Sequence, residues 1–304
     1  MILAEEKNKP IVKTNSKIKR FSHDMLIDEI DVIMSWSPDF IFVADANYGI
    51  FKEDLLYMQK FAQLKQMRET NTNLAFCAAK NNKVVVNQSY KVLHDAKMIP
   101  GAMQIGFQHT DEEILKIIDR DNIKTSKSLE EMEESYKHGI PLVGVLILGN
   151  PGDTVDKWKS AMCDLLRMQF HEDMRIHDFM LLPNAPAAEP EYMDKYKLGY
   201  IEKFYNESTH NRTFYKTKFL CESFSYTRQD YAEMQLYSVF LQACHIFSVF
   251  KFISILAHYT TDISYEDFYD YVMNLSSVQK ILEPVRKKLN SFVHSEEQNK
   301  FMQY

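Results

Sequence analysis

Short apolar runs alternate with amphipathic stretches along the first two thirds of the chain. The apolar runs predict five buried strands, at residues 40–44, 73–79, 102–108, 142–148 and 174–182. Between them, apolar residues recur every three or four positions, which predicts helices. These helices cover residues 21–34, 55–67, 84–97, 112–118, 128–137 and 156–168. Strands that alternate with helices predict a parallel α/β sheet, either doubly wound or an open or closed barrel.

The pattern changes after Pro190. Residues 191–220 are rich in Tyr, Lys and Glu and show weak periodicity, whereas residues 231–256 predict one long helix or two broken ones. The segment 245–253 is apolar on nearly every side, so we expect it to be buried. Further helices are predicted at 264–274 and 278–292. The predicted organisation is a polar lead-in at 1–16, an α/β domain at 17–190 and a mainly helical region at 191–304.

Composition narrows the functional classes. The chain has 304 residues and a net charge of −6, which argues against a nucleic-acid surface. No apolar run is long enough to span a membrane, and no signal peptide is visible. We therefore expect a cytoplasmic protein that binds neither nucleic acid nor membrane. The four cysteines are widely spaced, form no local metal motif and are each expected to be small buried residues.

Three predicted strands end in polar or glycine-rich residues. Asp45 and Asn47 follow the first strand, Gln108 and His109 follow the third, and Gly149–Asp153 follow the fourth. In a parallel sheet the carboxyl ends of the strands share one rim, where ligands bind. Two alternatives remain open, because Asp and Asn often cap helices and because Gly, Pro and Asp favour ordinary turns.

A second group of polar residues lies around the last predicted strand. His171, Glu172, Asp173, His177 and Asp178 include the residue types that bind metals. Loop and strand-edge positions explain these residues better, so we predict no metal site.

An ordered series of motifs resembles the barrel of radical S-adenosylmethionine (radical SAM) enzymes. The motifs are KIKRF (17–21), ADANYGI (44–50), IGFQ (105–108), IIDRDNI (117–123), LILGNPGDT (146–154) and LLPNAP (181–186). The branch most similar is the one whose members often carry an N-terminal cobalamin-binding domain. The resemblance covers roughly residues 17–198 and implies a partial, open TIM-like (β/α) barrel with a C-terminal helical appendage.

The resemblance also implies a set of cofactor-binding residues. Asp45 and Asn47 stand where such enzymes hold the amino group of the methionine moiety, and Gln108 stands at a strand end that faces S-adenosylmethionine. The turn near the adenosine is matched by Gly149, Pro151 and Gly152. Within this turn Asn150 replaces the usual Leu and Asp153 replaces the usual Glu.

The chain departs from the family at its defining feature. The CxxxCxxC loop that holds the 4Fe–4S cluster is absent, and no cysteine precedes Cys77. A first strand is also missing, so the barrel would have an unpaired edge that favours an N-terminal half polypeptide or a second copy.

Two functions follow from this departure. One is the S-adenosylmethionine- and substrate-binding part of a radical enzyme, with cobalamin-dependent methyl transfer to a small molecule as the implied activity. A separate polypeptide would then supply the cluster. The other is a non-catalytic barrel remnant that binds a small molecule or a partner.

Overall fold

The computed structural model describes residues 20–79, 83–99, 102–120, 137, 139–205 and 215–294. These residues form a mixed α/β structure. The chain divides into two compact units, Met1–Pro100 and Gly101–Tyr304. The helix predicted at 128–137 lies almost entirely outside the described residues.

In its described residues, the first unit consists of a parallel pair of strands with three helices. In chain order it contains α1 (His23–Ser35), β1 (Phe40–Tyr48), α2 (Asp54–Arg68), β2 (Asn73–Ala78) and α3 (Lys83–Asp95). Its most deeply buried apolar side chains are Met34, Met58, Leu74, Leu93 and Met98. Burial of each such side chain contributes about 1.5–3 kcal/mol to folding.

Strand β1 is longer than the sequence predicted. It pairs regularly with β2 from Phe40 to Val43, and the next registered pair is Tyr48 with Ala78. Four residues of β1 (44–47) therefore stand opposite a single residue of β2, Cys77, and this end of the strand forms a bulge. Asp45 and Asn47 lie within this irregular end and not beyond the strand.

The second unit begins with a parallel sheet in the order β3 (Met103–Gln108), β4 (Leu142–Leu148), β5 (Asp173–Asp178). Helices α4 (Glu112–Ile117) and α5 (Val155–Arg167) follow β3 and β4. The fifth predicted strand is broken, since β5 ends at Asp178 and Met180–Leu181 form a separate short strand, β6.

A hairpin follows that the weak periodicity did not predict. After α6 (Pro190–Tyr196), strands β7 (Gly199–Tyr205) and β8 (Tyr215–Glu222) pair antiparallel, and β6 pairs with β8. Both strands are rich in Tyr, Lys and Glu, so buried and exposed positions do not differ clearly in hydrophobicity and the alternation is not visible in the sequence. The domain boundary at 190 stays a prediction.

Four helices complete the second unit. They are α7 (Arg228–Leu241), α8 (Lys251–Thr260), α9 (Tyr265–Asn274) and α10 (Ser276–Val293). A π-helical turn at Gln242–Ile246 follows α7, so the predicted region 231–256 consists of two broken helices. Among the described residues, no single helix is long and apolar enough to cross a membrane. The bent pair Arg228–Ile246 and Lys251–Thr260 meets that length and composition together, across an 87° bend.

The expectation that residues 245–253 are buried was wrong in part. His245 and Lys251 are buried, but Phe247 and Phe252 are 77% and 74% exposed. The bend after the π-helical turn explains the difference, because it leaves only one side of the segment against the rest of the unit. Just before the segment, Gln242 of the π-helical turn donates a hydrogen bond to the carbonyl of Met174 in β5 (2.8 Å).

Helices α1, α4 and α9 begin within two residues of their predicted starts, and α7 begins three residues before its predicted start. Ser22, Asp111, Thr227 and Ser264 each accept a hydrogen bond from a backbone N–H in the first turn of α1, α4, α7 and α9. Each cap satisfies donors that the helix itself leaves unpaired, and its loss typically costs about 1 kcal/mol.

Candidate functional site

Asp45 and Asn47 form a small exposed turn in the first unit. One carboxylate oxygen of Asp45 accepts a hydrogen bond from the backbone N–H of Asn47 (2.8 Å). Both residues are exposed, so the carboxylate can accept further hydrogen bonds from a ligand.

The helix-cap alternative for Asp45 and Asn47 is wrong. The residue that precedes α2 is Glu53, which makes no side-chain cap. The turn before α2 is instead held by Asp54, whose carboxylate accepts hydrogen bonds from the N–H groups of Gly49 (2.9 Å) and Phe51 (3.1 Å). Burial raises the pKa of the Asp54 carboxyl, and these two hydrogen bonds oppose the rise.

The glycine-rich turn after β4 is held by the segment between β8 and α7. The carbonyl of Gly149 accepts a hydrogen bond from the hydroxyl of Tyr226 (2.7 Å), and the N–H of Gly152 donates to Ser225 (3.0 Å). Gly149 and Gly152 have φ values of +90° and +94°, which favour glycine. Pro151 is buried between them. The C-terminal region thus packs directly on the predicted adenosine turn.

Two residues of this turn carry fully buried polar side chains. Asn150 donates a hydrogen bond to the carbonyl of Ile147 (2.6 Å), and Asp153 accepts one from the N–H of Thr154 (2.9 Å). Their remaining oxygens, Asn150 Oδ1 and Asp153 Oδ2, are buried without a partner among the described residues. Such acceptors are costly to bury, which makes them candidates for a ligand or water contact.

The ends of β3 and β4 meet through a buried histidine. His109 Nε2 lies 3.5 Å from Asp153 Oδ1, and both side chains are fully buried. His109 Nδ1 accepts a hydrogen bond from the N–H of Asp111 (3.0 Å). Gln108, at the end of β3, is partly buried and has a φ of +68°. The structure therefore brings Gln108 and the Gly149–Asp153 turn to one edge of the second unit, whereas Asp45 and Asn47 belong to the first.

Sequence analysis missed a polar cluster at the end of β5. The hydroxyl of Tyr231 donates to Asp178 Oδ1 (2.7 Å), and the side-chain N–H of Gln235 donates to the same oxygen. Burial raises the pKa of the Asp178 carboxyl, while these hydrogen bonds oppose the rise. The one sequence signal for this cluster is the four-residue spacing of Tyr231 and Gln235, which places both on one face of a helix.

The histidines near β5 form a hydrogen-bonded network. His171 Nδ1 lies 2.9 Å from His245 Nε2, and His245 Nδ1 lies 2.6 Å from the hydroxyl of Tyr269. His171 precedes β5 whereas Asp178 ends it, which separates the residues considered as ligands by the length of the strand. Among the described residues, no group of three or more His, Cys, Asp or Glu is placed to bind a metal.

The four cysteines are free thiols. Cys163, Cys221 and Cys244 are buried as expected, and burial raises their pKa values to about 12, 11 and 11. Cys77 is exposed on β2, so the expectation that every cysteine is buried was wrong for this residue.

Comparisons with known proteins identify curated relatives. No family model matches the sequence. The chain is 27% identical over 263 residues to the cobalamin-dependent radical SAM methyltransferase TokK of Streptomyces tokunonensis, covering 84% of this chain and 38% of that protein. It is also 27% identical over 260 residues to the 2-(S-pantetheinyl)-carbapenam-3-carboxylate methyltransferase of Streptantibioticus cattleyicolor, with the same coverage. The chain thus spans 38% of the length of the curated relatives it matches.

Two solved structures of the radical SAM methyltransferase TsrM from Kitasatospora setae are weakly similar. One, with cobalamin and a [4Fe–4S] cluster bound, is 12% identical with a TM-score of 0.40, covering 53% of this chain and 29% of that one. The other, with tryptophan and a SAM analogue bound, is 10% identical with a TM-score of 0.43, covering 64% and 42%. The chain is thus similar in sequence to a cobalamin-dependent radical SAM methyltransferase and to a second methyltransferase, which confirms the resemblance predicted from its motifs.

Proposed function

We propose that the chain is the S-adenosylmethionine- and substrate-binding part of a cobalamin-dependent radical SAM methyltransferase that acts on a small molecule. The observation that carries the proposal is its similarity, over 84% of its length, to the cobalamin-dependent radical SAM methyltransferase TokK and to a second methyltransferase. With it we propose a partial open (β/α) barrel at 17–190 and a mainly helical region at 191–304. A cytoplasmic location is supported by the free state of all four cysteines.

The residues present fit parts of S-adenosylmethionine. The exposed Asp45–Asn47 turn offers a carboxylate and an amide for the ammonium of the methionine moiety. The Gly149–Gly152 turn allows close approach of a ligand to its backbone, and Gln108 adds a side-chain amide at the same edge. In each unit taken by itself, these groups would bind a part of the cofactor, which supplies the methyl group or the radical in this class of enzyme.

The cysteines do not fit a 4Fe–4S cluster. Cluster binding needs neighbouring thiolates, but three of the four thiols are buried with raised pKa values. The cluster in our proposal comes from a separate polypeptide or another part of the complete protein. Cobalamin is proposed for the complete enzyme, and we assign no residue of this chain to it.

Anaerobic iron–sulfur reconstitution tests the proposal. We expect the chain alone to bind no stoichiometric iron or sulfide, and to complement a cluster-bearing polypeptide encoded next to it in an assay for 5′-deoxyadenosine or methylated product. Binding of S-adenosylmethionine without any such complementation would instead favour the non-catalytic remnant. Failure of the chain to bind S-adenosylmethionine, either alone or with that polypeptide, would contradict the proposed cofactor site.

A further inference from the structure

The inner side of helix α8 is polar. Lys251 and Ser254 lie on this side and are buried, and His258, one turn further on, stacks on the ring of Tyr265 with the ring centroids 4.3 Å apart. The hydroxyl of Ser254 accepts a hydrogen bond from the hydroxyl of Tyr269 in α9 (2.9 Å). These contacts determine which side of α8 packs on the rest of the second unit and which side faces outward.

The outer side of α8 is apolar. Six apolar side chains of the helix and of the residues just before it are between 58% and 77% exposed, and they are Phe247, Val249, Phe252, Ile253, Leu256 and Tyr259. Within residues 247–261, all of which the structure describes, the single Asp, Glu, Lys or Arg is the buried Lys251. An aromatic side chain can bury about 150–250 Å², so the three rings alone expose on the order of 400 Å². A helix usually buries its apolar side, so the reverse order in α8 indicates that another surface covers it.

The exposed side chains have the spacing of a helix-packing seam. Val249, Phe252, Leu256, Tyr259 and Ile263 follow one another at alternating intervals of three and four residues, and all five are exposed. This spacing places side chains in one row that packs into the grooves of a facing helix. Leu256 is the midpoint of the row, with seven residues to either end. A row that is symmetric about its midpoint is complementary to an antiparallel copy of itself, which is the arrangement that a twofold axis produces.

Electrostatics favour the antiparallel arrangement. Phe250 precedes α8 and makes no side-chain cap, so the first turn of the helix keeps the partial positive charge of its N–H groups. Asp262 is exposed just beyond the other end of α8. Antiparallel packing about Leu256 would bring Asp262 of each copy next to the first turn of α8 in the other copy. The same packing also aligns the two helix dipoles in opposite directions.

A membrane fits this surface less well. Helices that lie on a lipid surface carry Lys and Arg beside their apolar side, which attract anionic headgroups. Beside the apolar side of α8 lie the exposed carboxylates of Asp262 and Glu172, and the ammonium of Lys251 is buried 3.4 Å from Glu172. An anionic headgroup would therefore meet negative charge here.

We propose that the outer side of α8 is the interface of a homodimer, in which α8 packs antiparallel on α8 of a second copy with the twofold axis near Leu256. A stable dimer buries about 800 Å² on each partner, and the six exposed side chains supply a large part of that area. The interface is separate from the proposed cofactor-binding residues. Dimer formation is therefore expected whether or not the chain binds S-adenosylmethionine.

Sedimentation equilibrium of the full chain tests the dimer. We expect a reversible equilibrium between monomer and dimer, with the dimer populated at about 100 µM chain, where a micromolar dissociation constant is sufficient. Leu256→Lys would place two like charges together at the twofold axis, so we expect the dissociation constant to rise at least about a hundredfold. The matched control is Ile281→Lys on α10, which replaces a similarly exposed apolar residue outside this interface and should leave the equilibrium unchanged. Both positions are exposed in the single chain, so both variants should keep the circular-dichroism spectrum of the wild type.

A pair of opposite charges tests whether the occupant is a second copy. Leu256→Glu alone should dissociate the dimer for the same reason as Leu256→Lys. An equimolar mixture of the two variants should restore it, because the two opposite charges then meet across the axis. We expect the mixed dimer to be at least about tenfold tighter than the dimer of either variant alone.

Each contrary result would overturn the proposed dimer. A wild-type chain that stays monomeric at about 100 µM would contradict it. A dimer that Leu256→Lys leaves intact would place the interface elsewhere, and a mixture that stays monomeric would exclude the antiparallel contact at Leu256. A monomeric wild type that binds vesicles of phosphatidylcholine and phosphatidylserine, and loses this binding in both Leu256 variants, would assign the surface to lipid instead.

Discussion

The ends of β1 and β4 look alike in sequence but differ in structure. Both combine small residues with Asp and Asn, yet the β1 end is an exposed bulge, whereas the β4 end is buried and held by residues from the β8–α7 segment. A motif thus predicts that a strand end is polar, while the packing of distant segments determines how rigid and accessible it is. Substitutions at the β4 end should affect stability, and those at the β1 end should affect ligand binding.

Gly149→Ala should give the largest loss of stability. The added Cβ would lie 3.1 Å from the ring of Tyr231 and 3.3 Å from the carbonyl oxygen of Leu220, at a φ of +90° that alanine disfavours. We expect the free energy of unfolding to fall by about 3 kcal/mol, from strain and contact together. Urea denaturation measures this change. A loss below 1 kcal/mol would mean that the turn is not held as described.

Acid should destabilise the second unit, because His245 is buried in it. Burial, with His171 and Lys251 nearby, lowers the pKa of His245 to about 3, so the folded state stays neutral there while the unfolded chain takes up a proton. The stability that comes from keeping His245 neutral is complete above pH 6.5. It is lost as the pH falls from about 6.5 toward 3, and the loss at pH 5 is about 2 kcal/mol. Urea titrations at pH 7.5 and 5.0 measure it. His245→Gln should reduce the pH dependence by that amount, and an unchanged dependence would contradict the assignment.

Tyr226→Phe removes the hydroxyl that binds the carbonyl of Gly149. Because that carbonyl is buried, we expect the free energy of unfolding to fall by about 1–2 kcal/mol. The paired control is Tyr259→Phe on the exposed side of α8, where we expect a change below about 0.5 kcal/mol. Equal losses of unfolding free energy in the two variants would contradict a stabilising role for the hydrogen bond from Tyr226 to the buried turn.

Asp45→Ala should change stability least, by less than about 0.5 kcal/mol, because the side chain is exposed and its one hydrogen bond is local. Thermal denaturation monitored by circular dichroism checks this expectation. A large loss of stability would mean that the β1 end is a structural support and would weaken its assignment as a ligand site.

Local patterns predicted much of the fold. The starts of α1, α4 and α9 and the strand β4 follow from short-range rules of capping and periodicity, whereas the break after α7 was one of two alternatives that the sequence left open. The bulge in β1, the β7–β8 hairpin and the exposure of Phe252 depend on long-range pairing, which periodicity does not report. The same limit applies to the site. Polar strand ends were identified from the sequence, but the contacts of Asp178 with α7 join residues more than fifty positions apart.

The most direct test of the account is equilibrium dialysis of the purified chain against labelled S-adenosylmethionine, with Asp45→Ala and, as a matched control, Asp28→Ala on the exposed face of α1. We predict saturable binding at one site per chain. Asp45→Ala should weaken it about tenfold, and Asp28→Ala should leave it unchanged. Absence of binding by the wild-type chain, or equal binding by all three proteins, would contradict the proposal that this strand end holds the cofactor.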